Sequence, residues 1–275
     1  GAPACGRYIL IKRMAAMAPK NIQIIAVANQ KGGVGKTTTA LTLGASFCRL
    51  GYRTLVIDLD PHASATIHLA YYPEQTERTV QDIFLSDENP ESIWKEIIQQ
   101  DERHHFDFVP GSIHLSDLEA EFKSTPGKGI LLKQSMEPLR ERYDYIILDC
   151  PPQLGVILIN ALVAADLTII PIQTEFLALH GLRLTFDTIR MLNKAMPDPI
   201  FYRALATMYD QRLSACRRVF NMLRKRLGNR FFSTVIHIDT KFREASAKGQ
   251  VIFDVAPQSR GSQEFVRLAK EIVAL

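Results

Sequence analysis

Apolar and polar positions follow two different periods along the chain. Six short apolar runs, rich in β-branched residues and bounded by turn residues, are predicted to be buried strands; they span residues 22–28, 54–57, 106–109, 145–148, 167–170 and 201–206. Elsewhere apolar residues recur every three or four positions, which predicts helices at 35–50, 112–122, 128–142, 155–164, 179–195, 213–227, 240–247 and 262–273. This alternation predicts an α/β fold with a mostly parallel, twisted β-sheet flanked by helices on both faces.

Length and composition favour a single domain. The chain has 275 residues, and its 47% content of hydrophobic residues is enough for a sizeable core. Two polar segments, 72–90 and 123–129, are predicted to be a surface excursion and a loop, and neither is long enough to separate two domains. We assign residues 21–275 to this domain and expect residues 1–20 to be an expression tag or a disordered tail.

The composition also narrows the functional classes. No run is apolar enough to predict a membrane span, because Asn160, Asp166 and Pro171 interrupt the most apolar stretch. The four cysteines are far apart and form neither a CxxC pair nor a Cys/His cluster. This spacing argues against a disulfide framework and a structural zinc site, and it is typical of a protein of the reducing cytosol.

A glycine-rich loop follows the first predicted strand and opens the first predicted helix. Its residues are Lys31, Gly32, Gly33, Val34, Gly35, Lys36, Thr37 and Thr38. In this context glycines let backbone N–H groups turn onto phosphates, and the helix N-terminus adds partial positive charge. We expect Lys36 to reach the β- and γ-phosphates of ATP, Thr37 to bind Mg²⁺ and Thr38 to contact the α-phosphate. The alternative is a chance glycine-rich turn, which the flanking strand and helix disfavour.

Two other predicted strands end in carboxylates. Asp58 and Asp60 follow one strand and are separated by a single residue, so their side chains point the same way from an extended chain. Asp149 follows another strand. The carboxyl ends of parallel strands meet at one edge of a sheet, where a carboxylate can hold a water of the Mg²⁺ shell. Asp58 or Asp60, taken alone, could instead cap the helix that follows.

Positive charge is concentrated in the last third of the chain. The net charge is +4, but residues 203–248 hold eleven Lys/Arg against three Asp/Glu. Within one predicted helix, the pairs Arg217/Arg224 and Arg218/Lys225 are each seven residues apart, so each pair shares a face after roughly two turns. Such a face is a candidate site for duplex DNA, bound through its phosphates and without sequence specificity. From charge alone, a solvated basic surface is the commoner interpretation.

The segment KGGVGKTTT at residues 31–39 resembles the deviant Walker A loop of the ParA/MinD superfamily. Residues 58–66 (DLDPHASAT) resemble the D-x-D-P-Q-G-N-A-T switch segment of that group, and residues 149–152 (DCPP) resemble its D-x-P-P Walker B segment. A likeness to ParA/Soj proteins in particular is carried by residues 152–166, 171–182, 207–212 and 257–261. The resemblance covers nearly all of residues 22–275. The absence of a preceding helix-turn-helix pattern predicts the short form of the family.

The resemblance implies a single P-loop NTPase domain that hydrolyses ATP slowly, with ATP and Mg²⁺ as cofactors. It implies that Lys31 reaches the ATP of a partner subunit, that Asp60 positions the attacking water, and that Asp58 and Asp149 support Mg²⁺. The implied partners are a second copy of the chain in an ATP-dependent homodimer, non-specific double-stranded DNA, and a ParB-like or cargo-adaptor protein that stimulates hydrolysis. A cytoplasmic, nucleoid-associated protein without a membrane partner is expected.

The chain departs from the ParA pattern near residue 237. Many relatives read I-P-R-N-V-R-L-S-E-A where residues 236–245 read IHIDTKFREA. We expect the adenine contacts at Met208, His237 and Asp239, and we extend the candidate DNA face to Lys241 and Arg243. The arginine that relatives carry at position 238 is missing, which leaves either a shifted DNA face or a cargo other than a chromosome or plasmid.

Three other functions are weighed against this one. A MinD-like membrane-cycling regulator needs a basic amphipathic C-terminal helix, whereas residues 266–275 (VRLAKEIVAL) resemble the last core helix of the family. A redox carrier like nitrogenase iron protein needs a cysteine pair to ligate a cluster, and Cys48 and Cys150 are not placed to supply it. A small-molecule kinase or ligase would form an organic product instead of hydrolysing ATP alone.

Overall fold

One sheet of seven strands organises the described part of the chain. The computed structural model describes residues 23–100, 104–122, 127–175 and 178–275, so the predicted tail at 1–20 and residues 123–126 of the predicted loop lie outside the described residues. The strands are β1 (Gln23–Val27), β2 (Thr54–Asp58), β3 (Asp107–Val109), β4 (Tyr145–Asp149), β5 (Leu167–Gln173), β6 (Tyr202–Tyr209) and β7 (Phe231–His237). They pair in the order β3-β2-β4-β1-β5-β6-β7, and every pair is parallel. The predicted parallel α/β fold is confirmed.

Helices connect and cover the strands. In the described segments they are α1 (Lys36–Arg49), α2 (Ser64–His68), α3 (Asp82–Leu85), α4 (Pro90–Ile97), α5 (Leu115–Phe122), α6 (Leu131–Ser135), α7 (Val156–Ala164), α8 (Ala178–Asn193), α9 (Ser214–Leu227), α10 (Lys241–Ser246), α11 (Ile252–Val255) and α12 (Arg260–Val273). Short 3₁₀ turns lie at Pro73–Gln75, Lys128–Ile130, Glu137–Leu139 and Gly228–Arg230. None of the helices in these segments combines the length and the apolarity that crossing a membrane requires.

Strand residues alternate between two hydrophobic cores, one on each side of the sheet. In β1, Ile24 and Ala26 pack on one side, while Ile25 and Val27 pack on the other. The first core receives buried residues from α3 to α9, and the second receives them from α1, α2, α11 and α12. The helices therefore flank both faces, as predicted, and the central strands are mostly apolar because both of their faces are covered.

The structure corrects three expectations about individual elements. Strand β7 is absent from the predicted strands, because it lies at the sheet edge and mixes buried with exposed positions. The helix predicted over 128–142 is divided into short turns, since Pro138 lacks the N–H that an uninterrupted helix requires. The predicted surface excursion at 72–90 contains α3, whose Ile83 and Phe84 are buried in the core.

The parallel topology determines where a ligand can bind. All seven strands have their carboxyl ends at the same edge of the sheet, where the crevices of open α/β folds lie. The loops after β1, β2, β4, β6 and β7 converge there, although they are far apart in the sequence. The residues predicted to bind the nucleotide and Mg²⁺ lie in these loops, near the carboxyl ends of the strands or in the first turn of α1.

Candidate nucleotide site

The loop between β1 and α1 has the backbone geometry of an anion-binding turn. Gly33 and Gly35 have φ angles of 74° and 84°, in the left-handed region that favours glycine. Gly35 is the N-cap of α1, which begins at Lys36, so the unpaired N–H groups of the first helical turn lie at the loop. A methyl group added to Gly35 would also lie 3.6 Å from Met208 Cε. The positive end of a helix dipole is thus part of the predicted phosphate loop.

Two side chains hold this loop from within. Thr207 Oγ1, at the end of β6, donates to the Val34 carbonyl oxygen at 2.9 Å. Lys36 Nζ donates to the Lys31 carbonyl oxygen at 3.4 Å, and Lys36 is only 7% exposed. Sequence reasoning gives Thr207 no role, although it lies in the ParA-like segment 207–212. A shallow depression beside the loop is lined by residues that include Thr37 and Thr38.

Asp149 has two buried carboxylate oxygens that form no hydrogen bond with any described residue. Burial, followed by the charge of Asp58, holds the pKa of Asp149 well above its usual range, while the Thr37 hydroxyl and the Lys36 ammonium act in the opposite direction. Buried carboxylate oxygens without donors are costly, and a hydrated cation would provide the missing positive charge and hydrogen bonds. Asp149 and Thr37 therefore fit an Mg²⁺ site that keeps most of its water ligands.

Asp58 lies next to Asp149 in the register of β2 and β4, but its oxygens are already engaged. Oδ2 accepts hydrogen bonds from Thr66 N at 2.9 Å and Thr66 Oγ1 at 2.7 Å, and Oδ1 accepts one from Asp60 N at 3.1 Å. Burial raises the pKa of Asp58 to about 6 despite these bonds. A methyl group added to Gly111 would lie 2.9 Å from the Asp58 carboxyl carbon, so the loop after β3 closes over it. Asp58 thus anchors the segment that follows β2.

Asp60 begins a tight turn that leads into α2. It is 7% exposed, and its Oδ1 accepts a hydrogen bond from His62 N at 3.0 Å and lies 2.9 Å from His62 Nδ1. Ala63, the N-cap of α2, has a φ of 49° in the left-handed region, at the position where the family segment has glycine. The chain therefore keeps this turn despite its departures from the family at residues 62 and 63.

A cavity of about 450 Å³ opens beside the phosphate loop. The carboxyl ends of β5, β6 and β7, the start of α1, and helices α10 and α12 contribute to its walls. The lining includes Thr38, Met208, His237, Asp239 and Arg243. The volume is that of a small-molecule site. Met208 has a φ of 49°, a conformation that side chains rarely adopt and that tends to occur at functional sites. The structure thus places all three predicted adenine contacts in the wall of one cavity.

Helix α12 fixes two of these contacts. His237 N and Nδ1 pair with the two carboxylate oxygens of Glu264 at 2.8 and 2.6 Å, and Glu264 is 1% exposed. Asp239 accepts hydrogen bonds from Lys241 N at 2.9 Å and from Gly261 N at 3.0 Å. Sequence reasoning misses Glu264 because no local pattern connects it to a residue 27 positions away.

Lys31 is held within its own subunit at the start of the loop. Its Nζ lies 2.7 Å from Glu175 Oε1, and the two side chains are 25% and 46% exposed. Its backbone N–H donates to Asn29 Oδ1 at 2.9 Å. Glu175 belongs to the ParA-like segment 171–182, but the sequence alone does not indicate its partner.

The basic residues predicted to contact DNA divide between two elements. Helix α9 buries Val219 and Leu223 and exposes the predicted contacts Arg217, Arg218, Arg224 and Lys225. Lys241 and Arg243 lie instead on α10, where Lys241 pairs with Glu244 at 2.7 Å and Arg243 lines the cavity. The structure therefore brings four of the six residues together and places Arg243 beside the other candidate site.

Most of the chain is similar to proteins that are already described. A family model for an AAA domain matches residues 22–200. The sporulation initiation inhibitor protein Soj of Bacillus subtilis is 38% identical over 253 residues, which cover 92% of this chain and 98% of Soj. The chromosome partitioning protein ParA of Caulobacter vibrioides is 32% identical over 261 residues, or 94% of this chain and 96% of that protein. A Mycobacterium smegmatis structure, described as cobyrinic acid a,c-diamide synthase with bound ADP and magnesium, is 29% identical with a TM-score of 0.74; it covers 92% of this chain and 94% of its own.

Proposed function

Because the chain belongs to the Soj/ParA family of P-loop proteins, we propose that it is an ATPase switch that dimerises on ATP and binds duplex DNA to segregate or position a cargo. The cargo is a plasmid, a chromosome or a protein complex. The observation that carries the proposal is the phosphate loop with two lysines, Lys31 and Lys36, beside the unpaired buried carboxylate of Asp149.

ATP with Mg²⁺ is the proposed ligand of this loop. The N–H groups at the start of α1 and the Lys36 ammonium bind the phosphates, and the adjoining cavity with Met208 takes the adenosine. Thr37 and Asp149 would hold Mg²⁺, which supplies positive charge against the phosphates when it is bound. The ADP and magnesium in the related Mycobacterium smegmatis structure support this choice.

Hydrolysis depends on positioning and charge more than on a strong base. Asp60 orients the attacking water from the turn before α2, and Asp58 keeps that turn in place through Thr66. Lys31 of one subunit completes the positive charge around the phosphates of its partner. Because this contact forms only in the dimer, binding of a nucleotide that carries a γ-phosphate favours dimerisation.

DNA binding is assigned to α9. Arg218, Arg224 and Lys225 are exposed and have no acidic partner among the described residues, so their charge is free to bind phosphates. Contacts to DNA phosphates carry no sequence information, so a protein that uses them can bind the nucleoid at many sites. We therefore place the protein in the cytoplasm, associated with the nucleoid.

A ParB-like or cargo-adaptor protein completes the cycle by stimulating hydrolysis and releasing the dimer from DNA. To shift the ratio of the dimeric to the monomeric state from 1:99 to 99:1, the nucleotide must bind the dimer more tightly than the monomer by about 5.5 kcal/mol. Contacts made only in the dimer, such as those of the two Lys31 residues, supply part of that difference.

Sedimentation and duplex-DNA retention with ATP, ADP or no nucleotide, at two salt concentrations, test the proposal. We expect dimers and retained DNA with ATP only, and Lys31→Ala to lose both while its monomer still binds nucleotide. A wild type that stays monomeric with ATP would refute the switch. Phosphate release that requires a second organic substrate would favour a ligase, and ATP-dependent co-sedimentation with liposomes would favour a membrane-cycling protein.

A further inference from the structure

Glu175 forms the one ion pair of Lys31 within the described residues, across a sequence separation of 144 residues. Its Oε1 accepts a hydrogen bond from Lys31 Nζ at 2.7 Å. Glu175 lies two residues after the end of β5, outside the phosphate loop and outside the cavity wall. The lysine assigned above to the partner subunit is thus neutralised by a carboxylate of its own subunit.

Both ends of this pair are fixed on one framework. Lys31 N donates to Asn29 Oδ1, and Asn29 Nδ2 donates to the Pro171 carbonyl oxygen in β5 at 2.8 Å. Gln30 is tied to α8, since its N donates to Thr185 Oγ1 at 3.2 Å. The strand that precedes Glu175 therefore also supports the backbone at Lys31. The backbones that carry the two residues are thus held near each other, whereas ordering the two long side chains still costs conformational entropy.

The pair is also connected to the phosphate site. Lys36 Nζ donates to the Lys31 carbonyl oxygen at 3.4 Å. A phosphate in the loop attracts the same ammonium, because a charged acceptor forms the stronger hydrogen bond. Nucleotide binding therefore loosens one of the contacts that hold Lys31 in this conformation.

We infer that Glu175 is a positioning residue that retains Lys31 within its own subunit and thereby opposes dimer formation. This inference rests on the proposed function, in which Lys31 acts on the partner's nucleotide. The ammonium must leave the carboxylate of Glu175 before it can reach across the interface. Dimerisation exchanges this half-exposed carboxylate for the denser negative charge of a triphosphate. Glu175 thus sets how much ATP-bound monomer accumulates before dimers form.

The expected effect is moderate, because half-exposed ion pairs are weak. Losing one such pair changes an equilibrium by about two- to fivefold. Each dimer opens two pairs, so the factors multiply and the dimer dissociation constant of Glu175→Gln falls by about four- to twenty-five-fold. Salt screens the pair, so the difference from wild type shrinks as the ionic strength rises.

The test uses the full chain with three variants. Glu175→Gln removes the charge and keeps the shape, while Glu175→Asp keeps the charge and should restore much of the wild-type behaviour. Glu137→Gln removes the same charge from an exposed pair with Arg140 on a separate 3₁₀ turn, and it serves as the control. Sedimentation with a non-hydrolysable ATP analogue gives the dimer dissociation constant at low and high salt. Acetylation of the nucleotide-free monomer, followed by peptide mass spectrometry, gives the reactivity of Lys31 relative to Lys36.

Faster acetylation of Lys31 together with tighter dimers in Glu175→Gln, and neither change in Glu137→Gln, supports the inference. Unchanged or weaker dimers in Glu175→Gln overturn it, provided that the wild type dimerises. Unchanged acetylation overturns it as well, because Lys31 would then not be held by Glu175. A wild type that fails to dimerise with the analogue refutes the proposed function itself, so the two failures are distinguishable.

Discussion

Asp58 and Asp149 are directly paired in the parallel register of β2 and β4, and both carboxylates are completely buried. Burial raises the pKa of both groups, and the charge of Asp58 raises that of Asp149 further. Hydrogen bonds from Thr66 partly offset this effect at Asp58. At Asp149 the Thr37 hydroxyl and the Lys36 ammonium act in the same direction, but its two buried oxygens form no hydrogen bond with any described residue. Two adjacent buried negative charges destabilise the fold until a cation neutralises them.

We expect Asp149→Asn to stabilise the protein without nucleotide and Mg²⁺, by about 1–3 kcal/mol at pH 7.5. A raised carboxyl pKa in the folded state means that folding favours the protonated form. The stabilisation that protonation provides is complete when the pH is below the carboxyl pKa of the unfolded chain, near 3.9. It is lost as the pH rises through the pKa of the folded state, which for Asp58 is about 6. Urea unfolding in EDTA at pH 5 and pH 7.5 measures this effect.

Asp198→Asn is the matched control, because Asp198 is exposed and forms no ion pair with any described residue. It should leave the stability at both pH values unchanged. The Asp149→Asn variant should also lose the extra stability that Mg²⁺-ATP gives to the wild type. If Asp149→Asn were less stable than the wild type at pH 7.5, the view of Asp149 as an uncompensated buried charge would be wrong.

A second prediction concerns Asp60, whose Oδ1 accepts a hydrogen bond from His62 N. Asp60→Asn keeps an oxygen for that bond but loses the charge proposed to orient the water, so we expect ATP turnover to fall at least about a hundredfold. The ATP-bound dimer should accumulate as a result. Phosphate release and sedimentation measure the two effects. His62→Gln, which restores the family residue, should change turnover less than twofold, and comparable losses in both variants would indicate a purely structural role for the turn.

The sequence predicts those parts of the site that leave a local pattern or that end a predicted strand. The phosphate loop is contiguous, and its strand, glycines and helix each leave a local pattern. Asp58, Asp60 and Asp149 can be found because parallel strands bring their ends to one edge. Strand β7 is not predicted from the sequence, because it lies at an edge of the sheet and its buried and exposed positions are mixed.

The rest of the site depends on contacts between distant residues. Glu264 orients His237, Thr207 holds Val34, and the two residues of each pair are 27 and 173 positions apart. Nothing in the local sequence distinguishes Glu264 or Thr207 from the glutamate and threonine residues that are exposed. Only the topology, which places β6, β7 and α12 beside the loop after β1, brings these partners together.

A third prediction tests the proposed DNA surface on α9. Arg217 is a poor target because its Nη1 donates to the carbonyl oxygens of Gln211 and Arg212, so its loss would disturb the loop before the helix. We therefore choose Arg218→Glu with Lys225→Glu. Removing two phosphate contacts should reduce the slope of log K against log salt by about 2 and abolish retention at moderate salt. Fluorescence anisotropy with duplex DNA over a salt series measures both quantities.

The control for this charge reversal is Lys95→Glu with Lys133→Glu. The two lysines are exposed, on α4 and α6 respectively. The control changes the net charge by the same amount, so it separates a local contact from the field of the whole protein. ATP-dependent dimerisation should persist in both double variants. An equal loss of DNA binding in the two would mean that net charge, and not α9, governs the interaction.

Arg243 provides the fourth prediction, because it is expected from the sequence to bind DNA and lies in the structure on the wall of the proposed nucleoside cavity with Thr38. If the cavity holds the nucleotide, Arg243→Ser removes a charged donor and weakens ATP and ADP binding by about 1 kcal/mol, or roughly fivefold. The salt slope for DNA should then stay at its wild-type value. Lys248→Ser removes an exposed charge just beyond α10 and away from that wall, and it should affect neither measurement. The opposite result, weaker DNA binding with unchanged nucleotide affinity, would assign Arg243 to the DNA surface and extend that surface from α9 to α10.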